Sequence, residues 1–71
     1  MKYIFKLTSD YIELNKLLKL QQLVDTWSDA KKAILAWLVS VNGSIEHRIR
    51  NKLIAGSIVE YNGATVVVEK Q

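Results

Sequence analysis

Apolar and polar positions alternate over the first residues of the chain and then take up a helical period. Residues 2–8 place Tyr3, Phe5 and Leu7 on one side and mostly lysine on the other, which is typical of a half-buried strand. Residues 11–22 then carry leucines three and four positions apart, which predicts a first helix. Asp10 followed three residues later by Glu13 predicts the capping pair at the start of this helix.

A second short helix is predicted over residues 27–37. Thr26 with Asp29 repeats the capping spacing, and an apolar stripe with small alanines follows it. Trp37 lies at the end of this stripe, so we expect its ring in the core or as a lid over the first helix.

The remaining residues predict strands joined by tight turns. Val39 and Val41 alternate with Leu38 and Ser40 before Asn42-Gly43, and β-branched runs flank a second Asn-Gly pair at residues 62 and 63. Gly56 marks the turn into this last hairpin. The pattern predicts an α+β fold in which two short helices pack on a small, mostly antiparallel sheet, and residues 1–71 form a single domain.

Composition limits the possible functions. The chain has 71 residues, no cysteine and one histidine, so neither a disulfide nor a structural zinc site is expected, and we predict no metal or other cofactor. The longest uncharged run, residues 33–45, is shorter than the roughly 18 apolar residues of a membrane span. We therefore expect no membrane partner and a cytoplasmic protein.

No pattern in the sequence indicates catalysis. The serines lack a nucleophile signature, no glycine-rich phosphate loop is present, and we predict that the protein is not an enzyme and has no catalytic residue. His47 stands in a polar run beside Glu46 and Arg48. A solvated side chain is the expected role of such a histidine, in preference to a ring that stacks on a base.

The charges are distributed unevenly. The net charge of +3 is modest, yet residues 31–52 contain one acid, Glu46, and five cations. These cations are Lys31, Lys32, Arg48, Arg50 and Lys52. In an extended segment Arg48, Arg50 and Lys52 would form one row, with Ile49 directed to the core, and the two lysines are expected in the N-terminal half of the second helix, where the dipole favours anions. A solvated edge is the alternative, but the combination favours a nucleic-acid surface.

Trp27 is the other unusual residue. It lies at the expected start of the second helix among polar neighbours, where a large ring either closes the core or stacks on a base. We retain Trp27 as a candidate stacking residue.

The order of several segments resembles the S4 RNA-binding domain family. They are residues 13–19, Leu23-Val24, Ala30-Lys31, Val39 to Gly43, the Glu46-x-Arg48-x-Arg50-x-Lys52 run and residues 55–59. The chain is most similar to small stand-alone bacterial members of the family. The resemblance implies an αL-type RNA-binding fold and non-catalytic binding of structured RNA, either ribosomal or transfer RNA and associated with the ribosome, through Lys31, Arg48, Arg50 and Lys52.

The chain departs from the family pattern at three places. Trp27-Ser28 stand where glycine or a basic residue is usual, and Asn15 stands where aspartate is common. Trp37 replaces the glycine that ordinarily ends the second helix, so the turn after this helix must take another form or an unfavourable φ.

Two other functions are compatible with the sequence. In the first, the protein is an adaptor that binds a protein partner through Trp27 and exposed apolar residues, and the cations only provide solubility. In the second, the same cations bind DNA, which we consider less favoured than RNA.

Overall fold

The computed structural model describes all 71 residues and has two short helices packed against a five-stranded sheet. The elements in chain order are β1 (Lys2–Leu7), β2 (Ile12–Glu13), α1 (Leu14–Leu20), α2 (Trp27–Leu35), β3 (Val39–Val41), β4 (Ser44–Ile45), β5 (Lys52–Leu53), β6 (Ile58–Tyr61) and β7 (Ala64–Lys70). The predicted α+β fold is confirmed. Neither helix is both long enough and apolar enough to cross a membrane.

The sheet has the strand order β1-β7-β6-β3-β4. The first strand lies parallel to the last, and every other pair in the sheet is antiparallel. A separate antiparallel pair joins β2 to β5, with Ile12 opposite Leu53 and Glu13 opposite Lys52. The predicted, mostly antiparallel arrangement is therefore confirmed, and the small β2–β5 pair is an addition.

One apolar cluster joins the helices to the sheet. Each element contributes the side chains that its period places on a single face, and the cluster contains 14 buried residues. They are Leu7, Ile12, Leu14, Leu17, Leu18, Val24, Ala30, Ala33, Ile34, Val39, Leu53, Val59, Val66 and Val68. Since the chain has no disulfide, this packing supplies most of its stability.

Both Asn-Gly pairs form the predicted tight turns. Asn42 and Asn62 have φ values of 53° and 50°, and the glycines that follow them are also left-handed. Two consecutive positive φ values give the turn whose twist matches a β-hairpin. The side chain of Asn42 also accepts a hydrogen bond from the backbone N–H of Ile58, at 2.8 Å, and so ties the first turn to β6.

The start of α1 differs from the prediction. Glu13 is the N-cap residue and its side chain makes no capping hydrogen bond, so the predicted Asp10-Glu13 capping pair is wrong. Residues 12 and 13 are extended because they pair with β5. Backbone carbonyls replace the side-chain cap: Leu14 donates its N–H to Asn51 at 2.9 Å, and Asn15 donates to Ile49 at 3.1 Å.

The cap of α2 agrees with the prediction at its start. The backbone N–H of Asp29 donates to Thr26 Oγ1 at 3.0 Å, which confirms the Thr26 cap. The helix ends at Leu35, two residues earlier than predicted, in a Schellman turn in which Trp37 donates to Ile34 and Leu38 donates to Ala33.

Of the two alternatives predicted for the turn after α2, another form or an unfavourable φ, Trp37 takes the unfavourable φ. Its φ is 62°, in the left-handed region where a β-carbon is strained. The residue is 66% exposed, so the expectation that its ring lies in the core or covers α1 is wrong. The left-handed turn carries residue 37 away from the apolar stripe of α2, and helical spacing therefore no longer describes its direction.

Candidate nucleic-acid interface

Residues 46–51 connect the β3–β4 hairpin to β5, and together with Lys52, the first residue of β5, they are here called the cationic loop. They form a loop with a turn at residues 49 and 50, in place of the extended row that alternation suggested. The backbone N–H of Asn51 closes this turn by donating to Arg48 at 3.2 Å. Ile49 is half-buried and packs against the core, as predicted, and it anchors the loop between its exposed cations.

The cationic loop forms a shallow basic concavity. A surface concavity of about 460 Å³ is lined by Arg48, Arg50, Asn51 and Lys52, without a hydrophobic side chain. The two arginine side chains are 71% and 79% exposed. The structure thus brings three of the five candidate cations together and presents them to solvent.

Glu46 fixes the orientation of Arg48. The arginine donates from Nε and Nη2 to the Glu46 carboxylate at 2.9 and 3.2 Å, and its backbone N–H donates to the same carboxylate at 2.9 Å. The hydrogen bond from the Arg48 side chain is the main cause that lowers the pKa of Glu46 to about 2, and the same contact raises the pKa of Arg48. Arginine has five N–H donors. Glu46 is the only protein acceptor for the Arg48 side chain, so its remaining donors are free to bind another anion.

The other two cations of the loop are held less tightly. Arg50 Nε lies 3.6 Å from the carboxylate of Glu13. The two groups are close enough for an ion pair but too far apart for a hydrogen bond. Lys52 has no carboxylate partner, and its ammonium lies 4.9 Å from the centre of the Tyr11 ring. Exposed contacts of this kind are weak and can exchange for a phosphate contact.

Lys31 and Lys32 do not line the same concavity. Both are exposed on α2, but Lys32 borders a separate concavity together with Asp25 and Asp29. Lys31 is the middle residue of the helix and Lys32 belongs to its last turn, so the predicted help from the helix N-terminus is wrong for Lys32. Lys31 makes no ion pair.

Trp27 is the first residue of α2 and is half-exposed. The ammonium of Lys19 lies 5.8 Å from the centre of its ring, a cation–π distance that ties the end of α1 to the start of α2. The remaining exposed ring surface is compatible with a stacking contact.

A second aromatic feature was missed by sequence reasoning. The rings of Trp37 and His47 have centroids 6.3 Å apart and planes tilted by 34°. Both residues are exposed, and His47 directly precedes Arg48 in the cationic loop. The available signal was Trp37 itself, which stands where the family usually has glycine, because residues held in a strained backbone conformation cluster at functional sites.

No group of three or more histidine, cysteine, aspartate or glutamate side chains is placed to hold a metal ion. Arg48 and Arg50 form ion pairs on an open surface and Lys52 has no carboxylate partner, so the loop presents positive charge that suits recognition of an anion.

Comparisons with known proteins find relatives of this chain in sequence and in fold. The family model of the S4 domain matches residues 5–69. The Escherichia coli K12 protein named "Putative RNA-binding protein YbcJ" is 40% identical over 58 residues, which cover 82% of this chain and 83% of that protein. The Shigella flexneri protein "Uncharacterized protein YbcJ" matches to the same extent.

A solved structure has the same fold. The solution structure of YbcJ from E. coli superposes with a TM-score of 0.72 and 37% sequence identity, and the match covers 93% of this chain and 85% of that one. That structure is described as revealing an αL motif involved in RNA binding. None of these names or descriptions specifies a catalytic activity.

Proposed function

The chain belongs to the S4 domain family, and we propose that it binds structured RNA without catalysing a reaction. The observation that carries the proposal is the basic concavity, in which Arg48, Arg50 and Lys52 stand together with Asn51 and without a hydrophobic residue. The RNA that we propose is ribosomal or transfer RNA, bound in the cytoplasm at or near the ribosome. Residues 1–71 act as one domain.

Phosphate contacts provide most of the affinity in this proposal. Guanidinium groups match pairs of phosphate oxygens, and lysine adds a point charge. Glu46 holds one guanidinium in a fixed direction, so the surface is ordered before RNA arrives and less entropy is lost on binding. Lys31 is the fourth phosphate contact, and Lys32 and Trp27 are further contacts at the edge of the bound RNA.

The salt dependence of binding tests the electrostatic part of the proposal. Four neutralised phosphates, at about 0.7–0.9 released ions each, give a slope of about −3 for log affinity against log salt. Affinity for a labelled RNA hairpin should therefore fall about 60-fold between about 50 and 200 mM salt. A flat response would reject the proposal. In the same assay, structured RNA should outcompete duplex DNA.

Neutral variants locate the contacts better than reversed charges do. A glutamate at position 48 or 50 would face Glu46 or Glu13, which lie 2.9 and 3.6 Å from the arginines, and repulsion would confuse folding with binding. Arg48→Gln with Arg50→Gln should weaken binding and reduce the slope by about 1.4–1.8, because two phosphate contacts are lost.

Lys2→Gln is the matched control for this pair. It also removes a positive charge, but Lys2 lies on β1, at the opposite edge of the sheet from β4, and it makes no ion pair. Its binding curve should follow that of the parent protein. Arg48→Gln and Arg50→Gln, each made alone, remove one charge as Lys2→Gln does. If all three proteins lose the same RNA affinity, then net charge, and not the loop, controls the affinity.

A protein-interaction adaptor is the second candidate function. It is favoured by the exposure of several large apolar side chains, among them the half-exposed Trp27. An adaptor would keep its partner at high salt and after nuclease treatment, and Trp27→Ala would release that partner. If the function is RNA binding, high salt should release the RNA and nuclease treatment should remove whatever co-purifies with the protein.

A further inference from the structure

Trp37 combines two unfavourable features. Its left-handed backbone strains the β-carbon, and 66% of the residue is exposed to water. A ring that offset this backbone strain by packing would be buried, as the unstrained Ile34 is three residues earlier. The fold therefore gains little from the ring, and an external ligand is the better explanation for its position.

The neighbours of Trp37 fit a nucleotide. His47 places a second exposed ring beside it, at 6.3 Å between centroids and a tilt of 34°, and both residues of this tilted pair keep surface open to solvent. Arg48 follows His47 and is held by Glu46. Glu46 itself donates its backbone N–H to Val39 at 2.9 Å, two residues after Trp37. This bond joins the segment bearing the tryptophan to the segment bearing the histidine and the arginine.

A nucleotide in an RNA loop needs both an aromatic surface for its base and a cation for its phosphate. Paired bases inside a helix are already stacked and cannot use the aromatic surface. The exposed ring of Trp37 offers the first contact and the ordered guanidinium of Arg48 offers the second. His47, which directly precedes Arg48, connects the two, because its ring lies 6.3 Å from that of Trp37 between centroids.

We propose that Trp37 and His47 form a stacking platform for an unpaired nucleobase, placed beside the phosphate contact of Arg48. This inference rests on the proposed function, because it adds a base-binding position to an RNA surface. It gives the protein a preference for RNA that contains unpaired residues over continuous duplex.

Two RNAs separate the platform from the phosphate contacts. One is a hairpin with an unpaired loop, and the other is a continuous duplex with the same stem. Trp37→Leu should weaken binding of the hairpin about 5- to 150-fold, the range for loss of one base–aromatic stack, and leave the salt slope unchanged. The duplex should bind equally well to parent and variant.

Trp37→Phe is the matched variant, because it retains an aromatic ring and shares the strained backbone with Trp37→Leu. It should recover most of the hairpin affinity. In a Trp27→Phe background, the fluorescence of Trp37 alone should be quenched by the hairpin and not by the duplex. His47→Ala should reduce the hairpin preference without changing duplex affinity.

The outcomes distinguish this inference from the proposed function. If neither RNA binds the parent protein, the proposed function fails. If both RNAs bind and Trp37→Leu has no effect, the platform is refuted and the phosphate surface stands. Equal losses for hairpin and duplex would also refute the platform, because a stacking contact requires an unpaired base. If Trp37→Leu keeps its affinity for the hairpin but loses a protein that the parent captures, the platform is refuted and the ring binds a protein partner.

Discussion

The left-handed conformation of Trp37 leads to a stability prediction that reverses the usual order of alanine and glycine. Replacing Trp37 by alanine or by glycine removes the same exposed ring, so the loss of packing cancels when the two variants are compared. What differs is the β-carbon, which costs about 1–2 kcal/mol at a φ of 62°. Glycine avoids this cost, but the unfolded chain of the glycine variant is more flexible, which offsets about 0.4–1 kcal/mol of the gain in stability.

Trp37→Gly should therefore be more stable than Trp37→Ala by about 1 kcal/mol. For a domain of this size such a difference corresponds to about 4–8 °C in Tm. Thermal unfolding followed by circular dichroism measures it directly, and urea unfolding at fixed temperature gives an independent value.

Ala36 provides the matched control, because it precedes Trp37 and has a negative φ of −85°, at which a β-carbon is not strained. At this position Ala36→Gly should lower the free energy of unfolding by about 0.5–1 kcal/mol, since glycine only adds entropy to the unfolded chain. Glycine should thus raise stability relative to alanine at residue 37 and lower it at residue 36. If alanine is the more stable residue at both positions, then residue 37 does not adopt the left-handed conformation and the strain argument fails.

Two further predictions concern the cap of α2 and the acid in the cationic loop. In urea unfolding, Thr26→Ala should reduce the free energy of unfolding by about 1 kcal/mol, because the backbone N–H of Asp29 loses its capping acceptor. Asp10→Ala should change it by less than about 0.5 kcal/mol, because no side chain caps α1. Since the pKa of Glu46 is about 2 in the folded protein and 4.5 ordinarily, its ionised form stabilises the fold above pH 4.5, and this contribution is lost as the pH falls towards 2. The stability difference between the parent and Glu46→Gln should shrink over that range, and a constant difference would contradict the ion-pair assignment.

Local signals in the sequence were sufficient for part of the fold. The two Asn-Gly turns and the Thr26 cap depend on residues within four positions of each other, and each forms as predicted. The start of α1 could not be predicted in this way. Its N-terminal N–H groups are satisfied by carbonyls of Ile49 and Asn51, more than thirty residues away, and only the folded chain brings these groups together.

The candidate site shows the same division. Clustering of Arg48, Arg50 and Lys52 follows from their proximity in the sequence, although the turn at residues 49 and 50 replaces the expected extended row. The aromatic pair was not predictable from the apolar pattern. Helical spacing assigned Trp37 to the core, but the Schellman turn redirects the chain after Ala36. The ring then lies beside His47, ten residues later, across the β3–β4 hairpin.

The cationic loop separates its structural contacts from its candidate binding contacts. The backbone carbonyls of Ile49 and Asn51 cap α1, and the side chain of Ile49 packs against the core. The side chains of Arg48, Arg50 and Lys52 line the surface concavity. Since substitutions of these three side chains leave the carbonyls and Ile49 in place, they can change affinity for an anion without removing the cap of α1. A large loss of stability in the Arg48→Gln, Arg50→Gln protein would show that the two arginines, and not the backbone between them, hold the loop in position.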